Sequence, residues 1–362
     1  MKILNIIILT IILASISYAE EQNLDDGHFI DKWHKKTYNS FKEASEYVDK
    51  KLVETADKYA DDNNETKNKK ILEQYEKELK EKNNKKAKRK KHADKFFLSD
   101  KFIEETNEPF LRVTPEGRVN SKSNFDDKIR LKVRAHLPLS RSKKRFRLFI
   151  GNLDSENIKD TLNNDNGSSK PEIGVNYFSP DYYGIRSKYS IGIHGIYPFG
   201  RARYSTDFNP GNWDLEFVQT FEYYVDDGFE ERTQGYFDTT FLNLSLFRLF
   251  VERGTKEKDT GMYYSTGAIM FWQPSYKTGL TLTQAFFGGT KYRYTKNNNI
   301  YPEVIEEHSG INKYYTSLKY RQNFFRKWLF YELEPALDFD IRNNFQTNYS
   351  LVLRLDIFYG EL

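Results

Sequence analysis

Cysteine is absent from the 362-residue chain, and long apolar runs are absent beyond its amino-terminal segment. Without cysteine the protein has no disulfide framework, no thiol chemistry and no lipid-modified cysteine behind an apolar leader. Mean hydropathy is −0.77 and 30% of the residues are charged, which excludes a membrane protein built from helices. The net charge of +4 is close to balance and gives no indication of a nucleic-acid partner.

Aromatic residues are abundant instead: the chain has 26 Tyr and 28 Phe, and aromatics make up 16% of it. A soluble globular protein rarely needs so many, whereas the outer surface of a membrane β-barrel carries aromatic girdles at both interfaces. The polar interior of such a barrel also keeps mean hydropathy low. The composition therefore favours an all-β transmembrane barrel.

The amino terminus has the pattern of a secretory signal peptide. An apolar run from Ile3 to Ile16 follows Lys2, and it is shorter than the roughly 18 residues that a spanning helix needs. The tripeptide SYA at positions 17–19 fits a small-x-small cleavage site. We therefore expect residues 1–19 to be removed before Glu20 and the protein to be exported; an uncleaved anchor helix is the alternative.

Residues 20–97 are predicted to form a basic, helical and partly disordered periplasmic extension. Apolar residues recur at helical spacing from Phe41 to Tyr59, and a second helix is expected around 71–79. The run KKAKRKK at 85–91 is either a solvated segment or a contact with an anionic surface. The extension is therefore expected to engage a periplasmic protein or the cell wall.

From residue 98 to the end, the chain is predicted to be the barrel itself. In KIRLKVRAHL, apolar residues alternate with Lys, Arg and His, a period of two that only a strand separates into two faces. Similar segments recur to the carboxyl terminus, and with the weak candidate LRVTPEGRVN they number about 14, antiparallel and of spanning length. Twelve strands is the main alternative.

The connectors support closure in a membrane. Short turns such as FNPGN and QPSYKTG alternate with longer polar connectors such as GTKEKDTG and KNNNIYPEVIEEHSGI. Outer-membrane barrels have short periplasmic turns and longer outer loops, so both termini are expected in the periplasm. A soluble β-sandwich or propeller is the competing fold, but apolar and aromatic residues on one face of nearly every strand disfavour it.

The last segment, YSLVLRLDIFYGEL, resembles the carboxyl-terminal strand of bacterial outer-membrane barrels, with Tyr349, Leu351, Leu353, Leu355, Ile357 and Tyr359 on the lipid side. That resemblance implies a location in the outer membrane and recognition by the barrel assembly machinery. The chain departs from the usual pattern by ending in Leu362 rather than an aromatic residue. FFGGTKYRYT and KYRQNFFRKWLFYEL also resemble an uncharacterised porin-like family of outer-membrane barrels, to which no activity is attached.

Charged side chains must face the lumen, because Arg or Lys facing lipid costs ~2–4 kcal/mol at mid-plane. The predicted basic face of the lumen comprises Lys128, Arg130, Lys132, Arg134, Arg145, Arg147, Arg201 and Arg203. The predicted acidic face comprises Glu216, Glu222, Asp238, Glu332, Glu334, Asp338 and also Asp340. Since strands follow one another around the wall, we expect a basic arc and an acidic arc.

Two functions remain open from these charges. The first is a channel for small polar or anionic solutes. The second is a non-conducting structural barrel whose charges pair across the lumen and whose extension binds a periplasmic partner or the cell wall.

The sequence gives only weak indications of an enzyme. Outer-membrane phospholipases use a histidine and a serine that are separated by one residue and share one face of a strand. Here His308 and Ser309 are adjacent in a predicted loop, and adjacent strand residues point to opposite faces. A carboxylate pair at Glu332 and Glu334 has no second element to single it out. We expect no enzyme, no cofactor and no metal site. Asn64 lies in DNNET, which resembles the extended acceptor of bacterial periplasmic N-glycosylation.

Overall fold

The computed structural model describes residues 29–57, 96–97, 110–121, 128–138, 146–151, 172–179, 182–241, 245–295 and 305–360. Several predictions fall outside these ranges: the signal peptide, the helix around 71–79, the basic run at 85–91, Asn64 and Arg145. Among the described residues, no helix has the length and apolar character that crossing a membrane requires.

Helix α1 (Phe29–Asp57) precedes the strands and covers most of the helix predicted from the spacing of Phe41 to Tyr59. The first seven strands are β1 (Phe110–Asn120), β2 (Lys128–Pro138), β3 (Phe146–Gly151), β4 (Glu172–Phe178), β5 (Ile185–His194), β6 (Tyr197–Phe208) and β7 (Asp214–Tyr224). The next seven are β8 (Gly228–Thr239), β9 (Ser245–Lys256), β10 (Met262–Ser275), β11 (Thr278–Thr295), β12 (Ile305–Asn323), β13 (Leu329–Asp340) and β14 (Thr347–Tyr359). A 3-10 turn (Ile341–Asn343) joins the last two strands.

The fourteen strands of the described chain form a closed antiparallel barrel in which each strand pairs with the next and β1 pairs with β14. The weakly patterned first segment is therefore a full strand, which confirms the prediction of fourteen and removes the alternative of twelve. Closure pairs the backbone groups of every edge, which is what a sheet needs in a medium without water.

The two faces of the wall differ in chemistry. Outward residues are apolar and exposed; on β2, Ile129 is 93% and Leu131 66% exposed. Charged and polar side chains are buried on the inward face, with Arg321 and Asp356 at 0%. A wall that exposes its apolar side chains and encloses its charges is the arrangement of a membrane-spanning barrel.

The two ends of the barrel also differ. At one end β1 begins and β14 ends, and the β10–β11 and β12–β13 connectors at this end are short; we call it the turn end. At the opposite loop end, β11 and β12 are 18 and 19 residues long and exceed the 9–11 residues that span a membrane. Their hairpin therefore extends beyond the apolar band.

Candidate functional site

A row of alternating charges crosses the inward face perpendicular to five neighbouring strands. Residues directly opposite in register form it, and from β2 to β12 the row reads Arg130, Glu116, Arg354, Glu332 and Arg321. Opposite charges facing each other on adjacent strands stabilise a sheet. We call these five residues the charged row.

Arg354 is the centre of the row because it contacts three carboxylates. Its Nε donates to Glu116 Oε2 at 2.7 Å, and its Nη1 donates to Glu334 Oε2 at 2.5 Å and to Glu332 Oε2 at 3.4 Å. The arginine side chain is only 9% exposed. Removing it would leave carboxylates buried without their cation.

Arg321 ends the row and is fully buried. Its Nη1 donates to Glu332 and, at 2.5 Å, to Asp356 Oδ2. Asp356 also accepts from Arg112 Nη2 at 2.7 Å and from Thr114 Oγ1 at 2.5 Å. Buried charges persist only when paired and hydrogen-bonded, and both of these are.

A second network lies on β4, β6, β7 and β8. Arg232 Nη2 donates to Glu222 Oε1 at 2.5 Å, and Arg201 Nη2 donates to Glu222 Oε2 at 3.2 Å and to Tyr224 Oη at 2.6 Å. The Tyr224 hydroxyl lies 3.0 Å from Glu172 Oε1. Two predicted lumen residues, Arg201 and Glu222, are thus brought into direct contact.

The other predicted carboxylates also have partners along the wall. Asp238 contacts Arg248 at 2.8 Å and Asp338 contacts Asn348 at 2.9 Å, each on the neighbouring strand, and Glu216 contacts Arg186 at 3.0 Å, two strands away. Asp340 accepts from Arg342. The expected acidic arc is therefore not of one sign, because arginines lie within it. The pairing runs along the wall, between strands that are adjacent or two apart.

The predicted cations of β2 are more exposed than the predicted carboxylates. Arg130, Lys132 and Arg134 lie on the inward face of β2 and are partly exposed. Lys132 Nζ contacts Glu116 Oε2 at 2.9 Å, yet its side chain stays 38% exposed. Arg147 is buried on β3, with its guanidinium 4.0 Å from the Phe178 ring centre.

Two further predicted cations can be placed only in part. Arg203 lies on β6 at partial exposure, and Lys128 begins β2, but the position of its side chain is not described.

Sequence reasoning missed one member of most ion pairs and both members of the pairs that Asp356 forms with Arg112 and Arg321. The missed residues are Arg112, Glu116, Arg186, Arg232, Arg248, Arg321, Arg354 and Asp356. Most stand on the polar face of segments that were identified as strands, so the period of two contained the signal. Which residue faces which required the register between strands.

Apolar side chains cover another part of the inward surface. Phe250, Ala285, Phe287, Tyr315 and Ala336 are buried there and form one cluster on β9, β11, β12 and β13; we call it the apolar patch. Ile269 packs against this patch. Phe271 follows it on the same face of β10, so the apolar surface continues to the turn end.

Phe96 and Phe97 come from the extension and contact that end of the apolar surface. Phe97 lies 5.1 Å from Phe271 between ring centres, and Phe96 lies 6.1 Å from Phe330. A Cβ added at Gly279 would lie 2.5 Å from each phenyl ring, so the glycine leaves the space that both rings occupy. We call these four phenylalanines the mouth cluster.

Helix α1 docks on the rim at the same end. The His34 ring stacks between Trp328 at 4.1 Å and Tyr359 at 4.7 Å, and Asp31 accepts from Arg326 Nε at 2.6 Å. His34 Nε2 lies 2.9 Å from the carbonyl oxygen of Phe358, which can only accept, so Nε2 carries the proton. Burial lowers the pKa of His34 below its ordinary value.

The docked helix corrects one expectation. Tyr359 was predicted to face lipid, but it is 3% exposed because α1 covers it. The rest of the alternation in β14 is confirmed by exposed Tyr349 and buried Val352.

Two further groups of described residues each contain a histidine. His308 and Ser309 lie within β12 rather than in a loop, and His308 Nε2 bonds the Ile311 carbonyl at 3.0 Å. Within the described chain, His194, Asp226 and Asp227 have ligand atoms close enough to hold a metal ion, although His194 Nδ1 is 3.3 Å from Glu172 Oε1. Sequence reasoning did not anticipate this group because His194 joins it from another hairpin.

No protein-family model and no curated protein sequence matches the chain. Solved barrel structures are similar to it in fold. OprB of Pseudomonas putida shares 9% identity at a TM-score of 0.45, with 73% of this chain and 97% of OprB covered. An anion-selective porin from Comamonas acidovorans shares 6% at 0.41, covering 69% and 98%. OccK5 of Pseudomonas aeruginosa shares 8% at 0.38, covering 70% and 98%.

Proposed function

We propose that this protein is an outer-membrane channel for small polar solutes, with a preference for anions. One observation carries the proposal: the predicted carboxylates of the interior are buried beside arginines or an amide, whereas Arg130, Lys132 and Arg134 keep part of their surface exposed, Lys132 even beside its partner Glu116. The part of the lumen that these three side chains line therefore presents positive charge to water and solutes. Rings or ladders of cations favour the passage of anions.

The width of the wall is compatible with a passage. Fourteen strands about 4.8 Å apart and tilted by about 40° enclose a backbone cylinder roughly 28 Å across. Eight-strand barrels are filled by their own side chains, and a wall of this width leaves more room. The turn end would face the periplasm, because both barrel termini lie there.

Planar-bilayer recordings test the channel. The full chain and the double variant Phe96→Ala/Phe97→Ala are recorded under a salt gradient. We expect the reversal potential of the current to show a preference for anions. Lys132→Gln should reduce that preference, whereas Lys327→Gln, the same charge change in an exposed turn, should not. If neither chain carries current, the channel proposal is wrong.

The second candidate is a non-conducting barrel that anchors the extension to a periplasmic partner or the cell wall. Helix α1 favours it: Asp31 and His34 in its first turns hold the rim, while Tyr47, further along, is 63% exposed. A helix held at one end presents the rest of its surface to another molecule. Silent recordings from both chains would favour this candidate.

A further inference from the structure

We propose that Phe96 and Phe97 form a plug that closes the turn-end mouth of the lumen, so that the protein is held shut by its own amino-terminal extension. The proposal rests on the barrel being a channel, and it adds a closed state that the chain itself supplies. The contacts of the two rings, the glycine beneath them and the docked helix carry it.

The rings lie inside the wall rather than against its outer surface. Phe271 is directly opposite Thr281 in register, and Thr281 is buried while its neighbour Leu282 is 48% exposed outward. Phe330 shares the buried face of β13 with Glu332 and Glu334. Partners of the two rings are therefore lumen residues, and Phe96 and Phe97 are themselves 8% and 9% exposed.

Gly279 leaves the space that the two phenyl rings occupy. It lies on the inward face of β11, opposite Arg321 in register, at the position where the charged row meets β11. Any larger residue there would overlap both rings, since even a methyl carbon would come within 2.5 Å of them. The absence of a side chain at this position is thus matched to the plug.

Helix α1 keeps the extension close to the mouth. The Asp31–Arg326 ion pair and the stacked His34 fix the helix to the rim of β14 and to the β12–β13 turn. A segment tethered beside its site binds it at a high effective concentration, so modest contacts suffice for occupancy.

The closed state also carries a cost that opening would relieve. In the described part of the chain, the buried amide of Gln273 and the Nε and Nη2 groups of Arg321 have no hydrogen-bond partner. Gln273 is two residues from Phe271, and Arg321 lies with its guanidinium 4.2 Å from the Phe330 ring centre. Water entering the mouth would satisfy these groups, which would favour opening of the plug.

A single introduced thiol tests the plug without requiring any current. The chain has no cysteine, so Thr281→Cys places one thiol on the inward face beside the mouth cluster. A small charged thiol reagent is added to the protein in lipid vesicles, and labelling is timed. We expect slow labelling in the otherwise native chain and about tenfold faster labelling when Phe96→Ala/Phe97→Ala is added.

Gly279→Ala sharpens the test because it adds atoms to the lumen wall. In an already open pore, an added methyl group would leave access unchanged or reduce it; with a plug seated on Gly279, it should speed labelling by displacing the rings. Gly117→Ala is the control for adding a methyl group to a strand glycine away from the lumen, since Gly117 lies on the outward face of β1 and a Cβ added there meets nothing within 4 Å. All variants are first checked for folded barrel migration on gels.

Each outcome bears on the plug. Faster labelling in both Phe96→Ala/Phe97→Ala and Gly279→Ala, with Gly117→Ala unchanged, supports it. Equal labelling in all chains overturns it, and so does rapid labelling of the native chain. If labelling accelerates while bilayer recordings stay silent, the plug is correct and the channel proposal is wrong.

Discussion

The charged row and the apolar patch lie on the same inward surface but are built differently. In the row, Glu116, Arg354, Glu332 and Arg321 are each stabilised by a specific partner of opposite charge on the next strand. In the patch, Phe250 and Phe287 are buried against small residues such as Ala285 and need no particular partner. The charged row is therefore stable only when neighbouring strands keep their register, whereas the apolar patch is stable when other apolar atoms cover it.

This difference explains where the extension binds. The charged row satisfies itself within the wall and gains nothing from an apolar segment. The apolar surface that runs from the patch to Phe271 gains from being covered, because burying apolar area is favourable. Phe96 and Phe97 cover the end of that surface at Gly279, which lies next to the charged row, opposite Arg321, and carries no side chain.

The largest expected effect comes from breaking the charged row at its centre. Arg354→Met keeps the volume but removes the cation that Glu116, Glu332 and Glu334 share, so buried carboxylates repel one another. We expect the free energy of unfolding to fall by about 5 kcal/mol, measured by urea titration in detergent micelles. Arg253→Met, which removes the exposed pair with Glu231, should cost at most about 1 kcal/mol.

Equal losses for these two arginine variants would show that the buried row is no more important to stability than an exposed ion pair. That result would contradict the account of the row.

A smaller loss is expected from the apolar patch. Phe250 is 1% exposed, and Phe250→Ala would open a cavity against Ala285 and Gly267. We expect a loss of about 3 kcal/mol in the same titration. Phe229→Ala, at an outward position that is 44% exposed, is the control and should cost clearly less. A loss as large at Phe229 would mean that the patch is not a packed core.

The smallest effect concerns the docking of α1 and its dependence on pH. The pKa of His34 is lowered in the docked state, so that state binds fewer protons than the free helix does. Docking is therefore complete above pH about 6.5 and weakens as the pH falls below it. We expect trypsin to cut α1 more slowly in the native chain than in His34→Gln at pH 8, with the two rates converging toward pH 5.

Comparing the two chains at each pH removes the pH dependence of trypsin itself. A rate ratio that stays constant from pH 8 to pH 5 would show that protonation of His34 does not control docking.

Much of the barrel wall could be predicted from the sequence because the alternation of inward and outward side chains is a property of each strand by itself. The alternation of Ile129 and Leu131 with charged neighbours predicts a strand and both of its faces, and repetition of that pattern predicts about fourteen strands, with twelve as the alternative. The second half of helix α1, from Phe41 onward, was predictable for the same reason, from spacing within a single segment.

Contacts between distant segments were not predictable in this way. Glu332 and Arg354 are both visible as polar-face residues, but their pairing depends on the register between β13 and β14. Tyr359 obeys the strand pattern and is nevertheless covered by His34, which is distant in sequence. The position of Phe96 and Phe97 depends on a tertiary contact with Gly279, and no periodicity in the extension encodes it.

The most direct test of the account is the single-channel conductance of the native chain against Gly279→Ala in the same planar bilayer. The account predicts a native chain that is closed for most of the recording and a variant that opens to steady steps, although the variant adds atoms to the lumen wall. A native chain that conducts steadily, with Gly279→Ala unchanged or reduced, would contradict it.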